Sequence, residues 1–190
     1  PDFKVRELRC KDGTDAVMLS GESAAGKYPV EAVKMQASIA LETEKYLPAH
    51  APLEVPADAH GTRVVNNVVG MSAVNMATTV GAKCITVPTT TGRTARLISH
   101  FRPNMPICAF SRHEWAVQQM IMYWGVIPHQ AEITQGTVNG TIVKAIETAK
   151  ELGYVEAGDL TVATAGDPRM SVQLGDKVSS TNVAYVAQVR

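Results

Sequence analysis

At 190 residues the chain can bury a sizeable core and accommodates one domain with an appendage. Its 18 Lys and Arg balance its 18 Asp and Glu, so no global field favours nucleic acid or an anionic membrane as a partner. No apolar run approaches the roughly 20 residues of a spanning helix, no signal peptide opens the chain, and two of the three cysteines, Cys84 and Cys108, sit in apolar strand-like runs. That usage predicts reduced, buried thiols and a cytoplasmic location rather than a disulfide framework.

In chain order, residues 1–10 (PDFKVRELRC) carry no clear pattern, and there is no initiator Met. Ala16–Leu19 is an unbroken apolar run of the length expected for a buried parallel strand, and it opens onto polar Ser20, Gly21 and Glu22. Tyr28, Pro29 and then apolar Val30, Val33, Ala37 and Leu41 predict an amphipathic helix to about Leu47. The first unit, residues 1–47, is therefore read as half of a β/α repeat.

Residues 48–60 (PAHAPLEVPADAH) hold three prolines without periodicity and read as a linker. Beyond it, Thr62–Val80 has an apolar arc (Val64, Val65, Val68, Val69, Val74, Met76 and Val80) wide enough for a buried helix, with Met71 and Met76 as core. Strands are then expected at Lys83–Val87, Pro106–Phe110, Val126–His129 and Leu160–Thr164. Helices are expected at Gly92–Phe101, Glu114–Trp124 and Thr137–Glu151. Val183–Val189 reads as a final antiparallel edge strand. Alternation of this kind predicts that residues 61–190 form a doubly wound α/β domain, a mostly parallel sheet with helices on both faces.

Two loops of this domain carry chemistry. In VPTTTGRTARLISHFRP, residues 87–103, a strand meets a helix through Thr89, Thr90, Thr91, Gly92, Arg93 and Thr94. Helix N-termini offer unpaired N–H groups and partial positive charge, hydroxyls add donors, and Gly lets the backbone approach a ligand, so the turn suits a phosphate. It reads equally as a Thr N-cap with Arg93 directed to solvent, and the residues alone leave both open. In TAGDPRMSVQLGDKVSSTN, residues 164–182, a long loop carries Arg169 and closes on Ser180, Thr181 and Asn182.

The run DGTDAVMLSGESAAGKYPVEAVKMQ, residues 12–36, closely resembles the end of the catalytic barrel of pyruvate kinase, with SGES, AGKYP and EAVKMQ in register. The T-T-T-G-R-T-A turn at 89–95 and the G-x-P and T-N elements near the C-terminus are similar to that family's effector loops. The resemblance implies a last β/α unit of a truncated TIM barrel at 1–47, then the linker at 48–60 and a C-terminal effector-binding domain at 61–190. It implies that the intact parent moves phosphate from phosphoenolpyruvate to ADP with Mg and K. The family's catalytic lysine, acidic metal ligands and substrate arginine would lie upstream of Pro1. No phosphoryl-transfer residue, metal ligand or cofactor is therefore assigned to this chain, and Ser20 and Glu22 would only border the active site. For residues 61–190 the resemblance implies allosteric binding of a phosphorylated metabolite, a sugar phosphate or nucleotide, at Thr89, Thr90, Thr91, Gly92, Arg93 and Thr94. Arg169, Ser180, Thr181 and Asn182 would close over it. It also implies homo-oligomerisation. Ser179 and Ser180 stand where glycines are common, the segment after Pro168 is long, and Val183, Ala184 and Tyr185 replace the usual basic residue. These departures weigh against a doubly phosphorylated sugar and leave a monophosphate or nucleotide open.

A reading from another class starts at Gly21-Glu22-Ser23-Ala24-Ala25, which is similar to a G-x-S-x-G nucleophile elbow and would make Ser23 the nucleophile of a serine esterase. Its triad would need Asp58 ahead of His60, His100, His113 or His129, yet Asp58 and His60 lie in the linker and no HGGG-type segment is present. The histidines lack zinc spacing. There is neither a P-loop nor a strand-linked G-x-G-x-x-G.

Overall fold

The structure is a computed structural model that describes residues 14–46, 54–55, 57–170, 173–174, 177–178 and 181–190. The chain divides into two compact units, residues 1–48 and 49–190. The expected N-terminal decapeptide and residues 48–53 and 56 of the expected linker lie outside the described residues.

In the first unit the expected strand at Ala16–Leu19 is not formed: residues 16–20 join no sheet. A strand persists only where its N–H and C=O groups find a neighbouring ladder, and none is present among the described residues of this unit. A one-turn helix, α1 (Gly21–Ala24), follows, with Ser23 and Ala24 donating backbone N–H to the Ser20 carbonyl. Helix α2 (Pro29–Glu44) begins with Pro at its first turn, as expected. Its buried residues, however, are Ile39 and Thr43, whereas Val30, Val33, Ala37 and Leu41 are exposed. Periodicity announces an apolar stripe, but α2 has two, and only neighbours decide which is covered.

The second unit opens with α3 (Thr62–Val80), which closes at Gly81. Met71, Met76 and Val80 pack against the core, while Val64 and Val68 lie exposed, so the helix is covered on one side rather than all round. Gly70 permits a close crossing: a Cβ there would stand 3.2 Å from a Leu97 methyl. The chain then alternates through β1 (Cys84–Pro88), α4 (Arg93–His100), β2 (Ile107–Ser111), α5 (Glu114–Met120), β3 (Val126–Gln130), α6 (Val138–Glu151) and β4 (Leu160–Ala165). After a 3₁₀ turn at Pro168–Met170 come a two-stranded ribbon, β5 (Gln173–Leu174) with β6 (Lys177–Val178), and finally β7 (Val183–Gln188). Helix α5 stops four residues before the expected Trp124, the chain tightening into i→i+3 turns in which Met122 N–H donates to the Gln119 carbonyl and Tyr123 N–H to the Met120 carbonyl.

The sheet order is β3-β2-β1-β4-β7. The first four strands are parallel, and β7 runs antiparallel to β4 at the edge, pairing Leu160 with Gln188 through Ala165 with Val183. This is the doubly wound, mostly parallel sheet the alternation predicts. Strands β1 and β2 are buried on both faces, which explains their continuous apolar runs. On one face Ile85, Val87, Ile107, Ala109 and Val162 pack with Ala73, Ala77 and Ile98 of α3 and α4. On the other, Cys84, Cys108 and Phe110 meet Ala145 and Ala149 of α6. The two thiols are fully buried and free. Its hydrogen bond with Cys84, and burial, push the Cys108 thiol well above its ordinary range.

Candidate functional site

The chain leaves β1 for β2 on one side, and β4 inserts on the other side of β1. Between β1 and β4 the winding reverses, so the loops leaving their carboxyl ends diverge and open a crevice, where open α/β sheets place ligands. A cavity of about 650 Å³ occupies that position. Its floor includes Phe110, and its walls come from the β1–α4 turn, Arg112 after β2, the loop into α6, and Gly166 and Pro168 after β4.

The β1–α4 turn is held from inside. The Thr89 N–H donates to the Phe110 carbonyl at 2.9 Å, and the Thr89 hydroxyl accepts from Gly92 N–H at 3.1 Å. The Ser111 hydroxyl donates to the Thr90 carbonyl at 3.2 Å, tying the turn to β2. Gly92 sits in the left-handed region at φ 77°, where a Cβ would also lie 2.8 Å from Met120 Cγ. The helix then starts with Arg96 N–H on the Gly92 carbonyl, so the N–H groups of Arg93, Thr94 and Ala95 precede its first intrahelical bond. With the helix dipole behind them, they give the turn the character of an anion site.

A second helix start faces the same space. Gly136, Thr137, Val138 and Thr141 line the cavity at the head of α6. The Thr137 hydroxyl caps that helix by accepting from Gly140 N–H at 3.1 Å, and the Thr141 hydroxyl accepts from Gln135 N–H at 3.1 Å. Glu132 also lines it, its carboxylate accepting from Thr134 N–H at 3.2 Å.

Within residues 67–187 the chain matches the family described as pyruvate kinase, alpha/beta domain. The chain belongs to the pyruvate kinase family. It is 38% identical to the pyruvate kinase of Geobacillus stearothermophilus over 157 residues, which is 83% of this chain and 26% of that protein. It is 39% identical to that of Clostridium acetobutylicum over 159 residues, 83% of this chain and 33% of the relative. The crystal structure of a pyruvate kinase from Cryptosporidium parvum covers 100% of the chain with a TM-score of 0.78 at 27% identity, 36% of that structure being matched. The chain thus spans about a quarter to a third of the length of these curated pyruvate kinases.

Of the residues expected at a pyruvate kinase effector site, Thr89, Thr90, Thr91, Arg93 and Thr94 line the cavity. Gly92 does not line it but shapes the turn. Thr181 and Asn182 serve as struts. The Thr181 and Thr94 hydroxyl oxygens lie 2.6 Å apart, both residues buried, and Thr181 N–H donates to Asn66 Oδ1 of α3 at 3.1 Å. Asn182 Oδ1 accepts from Asp167 N–H at 2.7 Å while its amide donates to the Asp167 carbonyl at 2.8 Å. Arg169 lies outside the lining; its guanidinium is folded onto Asp167 at 3.0 and 3.1 Å and holds that carboxyl below the usual carboxylate range. Ser180 is outside the described residues.

The sequence reading missed Arg112 and the α6 head. Both carry a signal: Arg112 directly follows β2, and Thr137 opens a helix after β3, so each leaves the carboxyl end of a strand beside β1 or its neighbour. Among the described residues of its own unit Ser23 has no triad partner. Its hydroxyl donates to the Ser20 carbonyl at 3.4 Å, and no histidine occurs among the described residues of its unit. In the second unit His113 Nε2 accepts from Arg112 Nε at 3.1 Å, and His129 Nε2 lies 2.9 Å from the Tyr154 hydroxyl. Asp58 is near Arg63, at 3.9 Å. No described helix is long and apolar enough to cross a membrane.

Proposed function

We propose that this chain is the effector-binding part of a pyruvate kinase, holding a phosphorylated metabolite in the cavity at the carboxyl ends of β1 and β4. One observation supports it above all. The free N–H groups at the head of α4 lie beside Arg93, Arg112 and the Thr89–Thr91 hydroxyls, and among the described residues neither arginine has an acidic partner. Charged donors and unsatisfied N–H groups around one concavity are what a phosphate requires.

In the intact parent, phosphate would pass from phosphoenolpyruvate to ADP in the cytoplasm, and the domain would bias that reaction allosterically. Ser20 and Glu22, joined by a 3.0 Å bond from Ser20 N–H to the Glu22 carboxylate, would border the active site. Mg and K belong to the parent in this reading. Among the described residues no group of three or more His, Cys, Asp or Glu is placed to hold a metal ion. Homo-oligomerisation draws support from β7, an edge strand with Tyr185 and Val186 exposed, since open edges invite pairing.

The test is a thermal-shift series with sugar phosphates and nucleotides, because a ligand that binds only the native state raises its stability. A rise in Tm that Arg93→Ala abolishes is expected. No shift with any phosphorylated compound would sink the reading. Hydrolysis of p-nitrophenyl acetate lost in Ser23→Ala but kept in Arg93→Ala would replace it with the esterase.

A further inference from the structure

The Arg112 guanidinium is held from one side. Its Nε donates to His113 Nε2 at 3.1 Å, and since a guanidinium has donors alone, the imidazole is neutral, accepting at Nε2 and carrying its proton on Nδ1. Among the described residues the two terminal nitrogens of Arg112 have no partner, and Arg112 lines the cavity whereas His113 does not. His113 is in turn fixed twice. Its ring stacks on Trp115 at a centroid distance of 5.8 Å, and its backbone N–H donates at 3.2 Å to the Ser111 hydroxyl, which itself donates to the Thr90 carbonyl at 3.2 Å. Ser111 is buried, so one hydroxyl ties the residue behind Arg112 to the turn that carries Arg93. The Arg112 carbonyl accepts from Gln130 Nε2 at 3.4 Å, pinning the backbone to β3.

We infer that His113 is a positioning residue of the anion site: its Nε2 lone pair, on a ring whose backbone is anchored through Ser111, presents the Arg112 guanidinium to the cavity. The inference rests on the effector reading above and adds to it a residue that touches no ligand. Arg112 is exposed, and a long, free arginine loses rotamer freedom when it closes on an anion, which weakens binding. Held by its Nε, it has given up part of that freedom beforehand, and it keeps Nη1 and Nη2 for two oxygens of one anion. His113 therefore acts entirely through Arg112, and its effect disappears when that side chain is removed.

Isothermal titration of the 190-residue chain with ribose 5-phosphate at about pH 8, above the ordinary histidine range, tests this. The variants are His113→Leu, which removes the acceptor, His113→Gln, which restores one in its amide oxygen, Arg93→Ala, Arg112→Ala, and His113→Leu combined with Arg112→Ala. Both His113 variants lose the imidazole stack on Trp115, and the His113 side chain makes no cap bond at α5, so the two are compared through the acceptor they keep or lack. Arg112→Ala is expected to weaken binding on the order of tenfold and His113→Leu on the order of threefold, with His113→Gln within about twofold of the unmodified chain. In the double variant the loss should equal that of Arg112→Ala alone. His113→Leu and His113→Gln behaving alike, whether both weaken binding or neither does, overturns the positioning role and leaves the effector site standing. So does a His113→Leu loss that persists undiminished in the Arg112→Ala background. Absence of binding, or binding unaffected by both Arg93→Ala and Arg112→Ala, overturns the site itself and the positioning role with it.

Discussion

Thr94 and Thr181 are 87 positions apart in the chain, and their hydroxyl oxygens meet at 2.6 Å in a buried contact. The bond joins the first turn of α4 to the segment entering β7, and Asn66 of α3 holds the same segment through Thr181 N–H. The start of α4, the helix proposed to meet the phosphate, is thus held by Thr181 and Asn66, neither of which lines the cavity.

Replacing one partner strands the other hydroxyl in a buried site, so Thr181→Val and Thr94→Val should each cost about 1–3 kcal/mol in urea denaturation. The double variant should cost less than the sum, because no hydroxyl is then left alone. Additive losses would mean that the two hydroxyls act independently.

Gly92 and Gly125 both occupy the left-handed region, at φ 77° and 69°, but only Gly92 has a neighbour, Met120, in the path of a Cβ. Each change to Ala should destabilise by about 1 kcal/mol or more through backbone strain, and Gly92→Ala should exceed Gly125→Ala by the cost of displacing Met120. Chemical denaturation of the two variants side by side reads the difference. Equal losses would show that Met120 yields freely.

His129 is partly buried, stacked on Phe110 at a centroid distance of 5.9 Å, and burial lowers its pKa. The unfolded chain therefore takes up a proton near the ordinary value of about 6.5 while the native state still resists it. Stability from this group is present above about pH 6.5 and is lost as pH falls through the lower folded value. In His129→Gln the slope of stability against pH between about pH 5 and 7 should flatten. An unchanged slope would assign the acid sensitivity to other groups.

Much of the fold was legible from the chain because β1, β2 and β4 carry unbroken buried runs between amphipathic helices, a pattern that few architectures satisfy. Ala16–Leu19 misled because a strand-like run needs a partner ladder, which local sequence does not supply. Val30, Val33 and Leu41 misled because α2 has apolar residues on both sides, and covering neighbours choose between them. At the site, the Thr89–Thr94 turn was readable as a local strand-turn-helix motif. Arg112 and Glu132 were not, since they join it only through the parallel order β3-β2-β1-β4, a long-range fact. The pairing of Arg169 with Asp167, two residues earlier, depends on the 3₁₀ turn between them and is not announced by the local sequence.

Cys84 and Cys108 are fully buried on adjacent strands. Native protein should react with a thiol reagent at neither of them until it is unfolded in urea, because burial shields both sulfurs and the Cys84 hydrogen bond together with burial holds Cys108 as the less reactive thiol. Rapid labelling of either residue in native protein would show that the α6 side of the sheet opens.

Backbone amide chemical shifts followed during titration with ribose 5-phosphate test the central claim most directly. The account predicts that the amides of Arg93, Thr94 and Ala95 move first and farthest, saturating together, and that Arg93→Ala removes the response. Saturable shifts that leave those three amides still and gather elsewhere on the protein would contradict it.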